Sequence, residues 1–267
     1  MGRVAMLIDT SKCTACRGCQ VACKQWNDLE GWEYSQTVNR GSYENPPDLS
    51  PQTWTRIRFN EYESGNRFQW LFTKQGCMHC GDAACVRVCP TGALKKHPEL
   101  GIVTVEWELC NGCGYCRQFC PFDIPRLDSD ILTGKGTAFK CNFCQDRVTN
   151  GLLPACVKTC PPGALSFGEW VDMRDKGLSR VQDLKAQGFA EARLYGDNLV
   201  GGLGRLYVLT APPSAYRLPE QPTYPAIADV WQKIVQPLGG VAFGAAILGV
   251  IGAFLVSRRN IRMEEVV

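Results

Sequence analysis

The sequence predicts an α+β fold: two small modules of short strands and helices, a C-terminal extension, and one long apolar helix. Three observations carry this. Sixteen cysteines fall into four groups of four with recurring spacing. Short apolar runs precede three of those groups, as strands feeding loops do. Pro237 to Val256 is 20 residues without a charge.

Composition narrows the field. The 267 residues carry 29 Lys plus Arg against 26 Asp plus Glu, a net charge of +3. That balance, with no basic run, gives no footprint for nucleic acid. Hydrophobic residues at 45% and charged residues at 21% suit a folded chain. Sixteen cysteines against two histidines demand a covalent or metal explanation.

Taken in order, Val4 to Ile8 reads as the first strand. Met1 to Asp9 has no apolar stretch of signal-peptide length, and Met6 spoils a myristoylation motif after Gly2. The first motif is Cys13-x2-Cys16-x2-Cys19-x3-Cys23, followed by 53 residues before the next. That insert holds Asn45-Pro46-Pro47-Asp48 and then Trp54-Thr55-Arg56-Ile57-Arg58-Phe59, a loop and a strand. The run Trp70 to Thr73 leads into Cys77-x2-Cys80-x4-Cys85-x3-Cys89. Ile102 to Val105 leads into Cys110-x2-Cys113-x2-Cys116-x3-Cys120. The fourth motif is Cys141-x2-Cys144-x11-Cys156-x3-Cys160. Spacers of 20 residues separate the last three motifs, and Cys89-Pro-Thr-Gly-Ala-Leu94 repeats as Cys160-Pro-Pro-Gly-Ala-Leu165. Val171 to Gln187 has helical spacing, and Gly204 to Thr210 reads as one more strand. The organisation expected is a cysteine-motif domain over 1–170, a docking extension and linker over 171–230, a membrane helix over 231–257 and a tail over 258–267.

The uncharged segment spans about 30 Å at 1.5 Å per residue, the thickness of a bilayer core. Trp231 and Tyr224 stand where an interfacial aromatic belt would sit. Gly240 and Gly244, and Ala245 and Gly249, form small-xxx-small pairs suited to packing on another membrane helix. Arg258, Arg259 and Arg262 follow the segment, while only Lys233 lies close before it. The positive-inside rule puts the tail in the cytoplasm and the cysteine domain on the periplasmic side. Without a signal peptide, that domain would be exported with a partner.

The cysteine pattern resembles that of bacterial ferredoxins. Three closely spaced thiolates wrap one cubane cluster. The fourth, usually before proline (Pro90, Pro121, Pro161), reaches the cluster of a paired motif. Thiolates are soft ligands suited to iron–sulfur chemistry. Zinc sites use two Cys-x2-Cys pairs and no three-plus-one repeat. Cysteines two residues apart make poor disulfide frameworks.

Absences matter as well. The apolar segment has no histidine for a bis-histidine haem. There is no P-loop, and Gly201-Gly202-Leu203-Gly204 is a weak turn signal and not a dinucleotide fingerprint. His79, inside Cys77-x-x-Cys80, reads as a group tuning a cluster and His97 as a surface residue. No nucleophile pairs with a base, and no cluster ligand is missing. The chain reads as a conductor and not a catalyst.

The four-motif order with its Cys-x11-Cys group resembles the iron–sulfur subunits of molybdenum or tungsten bis-pterin oxidoreductases. The likeness is greatest to the beta subunits of membrane-bound respiratory formate dehydrogenases. It is carried by Cys19-Gln-Val-Ala-Cys-Lys-Gln-Trp-Asn-Asp28, Asn45-Pro-Pro-Asp-Leu-Ser50, Gly76-Cys-Met-His-Cys80, Gly112-Cys-Gly-Tyr-Cys116, Pro121-Phe-Asp-Ile-Pro-Arg-Leu127 and Pro154-Ala-Cys-Val-Lys-Thr-Cys160. It extends over nearly the whole chain, the apolar helix included. Spacing alone leaves open which motifs pair. The resemblance implies four [4Fe–4S] clusters and a nested pairing, motif one with four and two with three. Cys13, Cys16 and Cys19 would then share a cluster with Cys160. Cys141, Cys144 and Cys156 would take Cys23; Cys77, Cys80 and Cys85 would take Cys120; Cys110, Cys113 and Cys116 would take Cys89. It also implies a Mo/W-bis-pterin catalytic subunit that oxidises formate, a membrane cytochrome b subunit and a lipid bilayer as partners, in anaerobic respiration. The same wire in a hydrogenase or a sulfur-compound reductase is the alternative. A soluble ferredoxin-like carrier and a structural zinc or disulfide protein are rivals of other classes.

Overall fold

The structure is a computed structural model that describes residues 2–31, 43–64, 67–130, 136–224, 227–230 and 234–260. Trp231, Lys233, Arg262 and the end of the tail, used above to orient the helix, lie outside the described residues.

The chain runs β1 (Val4–Asp9), α1 (Gly18–Trp26), β2 (Thr55–Ser64), β3 (Arg67–Gly76), α2 (Ala84–Arg87), β4 (Leu94–Lys96), β5 (Val103–Val105) and α3 (Tyr115–Gln118). It continues through β6 (Arg126–Ser129), β7 (Gly136–Phe139), α4 (Gln145–Thr149), α5 (Ala155–Lys158), β8 (Leu165–Glu169), α6 (Trp170–Ala186), β9 (Arg193–Tyr195) and β10 (Arg205–Leu209). Two further helices, α7 (Ile227–Val230) and α8 (Gln236–Asn260), close it. By its internal contacts the chain divides into two units, Met1–Tyr224 and Pro225–Val267.

In the first unit, one four-stranded sheet has the order β8-β1-β10-β9. β1 pairs parallel with β10 and antiparallel with β8. Its two central strands are near-continuous apolar runs because both faces are covered. On one face Ala5, Leu7, Leu206 and Val208 pack with Val181 and Leu184 of α6. On the other, Val4, Met6, Ile8, Tyr207 and Leu209 face a core that contains Cys19, Cys23, Cys77, Cys141 and Cys156. The period of two along each strand sorts a hydrocarbon side from a sulfur side.

The rest is ribbons: β2–β3, β4–β5 and β6–β7, each an antiparallel pair. β1, β3 and β5 stand ahead of the first three motifs, where the sequence placed strands. The sequence predicts an extension beyond a domain ending at 170, whereas residues 171–224 share the first unit: β10 is central to the sheet and α6 covers it. The physical reason is in β1: five consecutive apolar residues bury both faces, which needs a second strand and a covering helix from elsewhere in the chain.

In the second unit, Gln236–Arg259 is the one helix among the described residues long and apolar enough to cross a membrane, with a mean hydropathy of 2.2. It is apolar all round, and Val241, Phe243, Leu248 and Val250 are each 70% exposed in the chain alone. A helix of that composition has no polar face to give to water.

Candidate metal centres

Two helix pairs deliver half of the cysteines. α1 packs on α5, and α2 packs on α3. α1 carries Cys19 and Cys23 one turn apart, and α5 carries Cys156 with Cys160 just beyond it. α2 and α3 do the same with Cys85, Cys89, Cys116 and Cys120. The Cys-x3-Cys spacing puts both thiols on one helical face, so each pair presents four sulfurs to two neighbouring pockets.

Each pocket is named here for the motif that supplies three of its thiols. Cys13, Cys16, Cys19 and Cys160 line the first, with Ile8, Phe72 and Lys74. Cys23, Cys141, Cys144 and Cys156 line the fourth, with Lys74, Phe143 and Arg205. Cys89, Cys110, Cys113 and Cys116 line the third. In the second, Cys80 and Cys85 are in electrostatic range of both Cys77 and Cys120. No three His, Cys, Asp or Glu side chains among the described residues close on a single-ion position. The thiols surround cavities instead, which fits a polynuclear cluster bound by soft ligands.

The loops achieve this with a repeated backbone device. The residue two after the first cysteine of every motif is left-handed: Ala15, His79, Gly112 and Phe143, with φ of 54°, 47°, 71° and 59°. Only one of the four is glycine. The others hold about 1–2 kcal/mol of backbone strain each. The curl turns amides toward sulfur: Phe143 N–H donates to Cys141 Sγ at 3.4 Å.

Electrostatics differ between pockets. Burial pushes the Cys116 thiol up to about 12, with Cys110 and Cys113 adding to it. Burial pushes Cys144 up to about 12, and Cys120 to about 11. Cys141 goes the other way. Burial would raise it, but Arg205, the Phe143 amide, Lys74 and Lys140 outweigh burial and hold it below the ordinary thiol value.

Two cations therefore belong to the site, and the motif search missed them. Arg205 is 0% exposed, and its Nη2 donates to Cys141 Sγ at 3.1 Å. Lys74, 2% exposed, donates to Thr55 Oγ1 at 2.6 Å and lines both the first and fourth pockets. The Gly-rich run is structural as well: Gly81 N–H donates to Gly202 O and Asp82 N–H to Val200 O, seating the second motif's loop. A β-carbon on Gly204 would lie 2.8 Å from His79 Cβ, so glycine is required there. His79 is buried at 2% exposure, and its Nδ1 accepts from Val103 N–H at 3.0 Å. His97, by contrast, accepts from Leu100 N–H within its own turn.

Three thiol-lined pockets and a further set of four neighbouring thiols define an iron–sulfur protein of ferredoxin type. Family models described as 4Fe-4S dicluster domains match residues 12–93 and 68–170. The chain is 40% identical over 265 residues to the formate dehydrogenase iron–sulfur subunit of Haemophilus influenzae, covering 98% of this chain and 83% of the relative. It is 44% identical over 248 residues to the formate dehydrogenase-O iron–sulfur subunit of Escherichia coli, covering 91% and 79%. It is 42% identical over 266 residues to the nitrate-inducible formate dehydrogenase iron–sulfur subunit of Escherichia coli, covering 98% and 88%. The chain belongs to the family of formate dehydrogenase iron–sulfur subunits. It is thus a non-catalytic, electron-transfer subunit of an oxidoreductase complex.

Proposed function

We propose that the chain holds four [4Fe–4S] clusters and conducts electrons from a formate-oxidising Mo/W-bis-pterin subunit to a membrane cytochrome b subunit and on to quinone. The observation that carries this is the sorting of all sixteen cysteines into four sets of four, three of them lining pockets. Each set would ligate one cluster, in the nested arrangement with Cys160, Cys120, Cys89 and Cys23 crossing to the partner motif. Buried side chains link neighbouring pockets: Lys74 lines the first and fourth, and Arg205 bonds Cys141 of the fourth while lying within electrostatic range of Cys77 of the second. When bound, such clusters supply one-electron carriers whose potentials follow burial, hydrogen bonds to sulfur and local charge.

α8 would anchor the chain as a single membrane span, with Arg258 and Arg259 on the cytoplasmic side and the iron–sulfur unit on the periplasmic side. Its glycines would pack on a membrane partner's helix. The exposed Val171 and Leu178 of α6 would serve docking to the catalytic partner.

Low-temperature EPR on the anaerobically purified native complex tests the reading. Formate should reduce the [4Fe–4S] signals to nearly the level that dithionite reaches. Reduction by dithionite alone, with the catalytic partner intact, would show that the electrons come from another substrate.

A further inference from the structure

The function accounts for the cysteines but not for a buried guanidinium among them. Arg205 sits at the start of β10 with no exposed surface. Its Nη2 bonds to Cys141 Sγ at 3.1 Å, while Nε and Nη1 have no hydrogen-bond partner in the protein. Its Cζ lies 5.9 Å from the centroid of the Phe143 ring. The same ring meets His79 in a T-shaped contact, with ring centroids 4.2 Å apart. His79 Nδ1 accepts the Val103 amide, so the imidazole proton is on Nε2, which is also buried and without a protein partner. Three N–H donors without a protein acceptor thus surround Phe143, between the fourth and second pockets.

Buried donors and buried cations need acceptors and counter-charge. Arg205 remains charged throughout the accessible pH range, so it cannot escape by losing its proton. Its hydrogen-bonded neighbour is the thiol of Cys141, with Cys156 and Cys77 within electrostatic range. A negatively charged, sulfur-rich group in these pockets would supply the missing acceptors and counter-charge.

We propose that Arg205 is a positioning residue for electron flow: its fixed positive charge raises the reduction potential of the cluster in the fourth pocket, and less strongly that of the second. This rests on the four-cluster reading above. The argument is one of charge balance. Reduction adds one electron to a cluster, and a fixed cation in a low-dielectric interior favours the more negative state. The thiolate bond to Cys141 makes the fourth pocket the nearer target. The third pocket has no cation in its lining, so its cluster should not respond.

The test is an EPR-monitored potentiometric titration of the purified holo-complex, comparing wild type with Arg205→Gln and Arg205→Lys. Arg205→Gln should lower one midpoint by more than a tenfold change in the oxidised-to-reduced ratio, which is 59 mV for a one-electron couple. The shifted signal should be the one that Cys23→Ser alters, and Arg205→Lys should restore most of the shift. If Arg205→Gln does not assemble its iron, Gly76→Ala decides. A β-carbon there would come within 2.5 Å of Arg205 Nη1, displacing the guanidinium while keeping its charge, so a smaller shift of the same midpoint is expected. Unchanged midpoints at full iron content, or a shift confined to another cluster, would overturn the inference. Absence of [4Fe–4S] signals from the wild type would instead overturn the functional reading beneath it.

Discussion

The fourth and third pockets share one plan, three thiols from one motif and a fourth from its partner, and differ in nearly everything around it. In the fourth, Cys23, Cys141, Cys144 and Cys156 are all buried, and Lys74 and Arg205 stand in the lining. In the third, Cys113 is exposed, Cys89 and Cys110 are half-buried, and no Lys or Arg lines the cavity. The fourth rests against a four-stranded sheet backed by α6. The third rests against two ribbons whose strands are three or four residues long. Ligand spacing therefore sets where clusters go, and the surrounding scaffold sets what each one does. A conductor needs that division: similar carriers, unlike environments.

The largest expected effect separates motif from pocket. Cys160 belongs to the fourth motif by sequence but lines the first pocket. Cys160→Ser should cost the first-pocket cluster and spare the fourth, read as loss of one EPR signal with the Cys141-coupled signal intact. Loss of the fourth-pocket cluster alone would break the nested pairing.

Removing iron should sharpen the contrast in scaffold. Ligation holds short elements together, and ribbons this small are marginal without it. Hydrogen exchange on the apo chain should show β4 to β7 unprotected while β1, β8 and β10 keep part of their protection. Equal loss across both regions would mean that the sheet, too, depends on iron.

Leu184 tests the sheet alone. It is 1% exposed between α6 and the strands, on the face away from sulfur. Leu184→Ala should destabilise the unit by about 2–5 kcal/mol in denaturant unfolding, with cluster midpoints unmoved. A changed midpoint would mean that the hydrocarbon face communicates with the pockets.

The smallest effect lies in the insert. Arg126 Nη2 pairs with Asp48 at 2.8 Å, joining the Asn-Pro-Pro-Asp loop to β6. Burial would raise the Asp48 carboxyl, but the Arg126 bond, the Leu49 amide and nearby arginine charge outweigh it and hold it below the ordinary value. A carboxyl lowered on folding contributes stability above its unfolded value, and the contribution is lost as pH falls through its folded value. Asp48 is half exposed, so Asp48→Asn should cost no more than about 1 kcal/mol at neutral pH. The difference from wild type should vanish in acid. A cost that persisted there would point to packing and not charge.

Much of this was legible in the residues. Val4 to Ile8 and Gly204 to Thr210 read as strands because both are apolar runs, and α8 read as one uninterrupted hydrophobic helix. The cysteines declared themselves by spacing. Other features left no local trace. β8 is half-polar, and it becomes a strand because β1 offers it a partner. Ala15, His79 and Phe143 adopt left-handed backbone that their side chains disfavour, imposed by the loop closing on its pocket. Lys74 and Arg205 belong to no motif, and charged residues are rarely buried unless paired. Their partners are thiols far away in sequence, and only the fold brings them together.

Mössbauer spectroscopy on anaerobically purified protein grown on isotopically enriched iron, with iron counted per chain, tests whether four thiol sets hold four [4Fe–4S] clusters. All bound iron should appear as [4Fe–4S], in an amount that fills all four sets. A [3Fe–4S] component in fresh protein, a pocket's share of iron missing, or zinc in its place would contradict it.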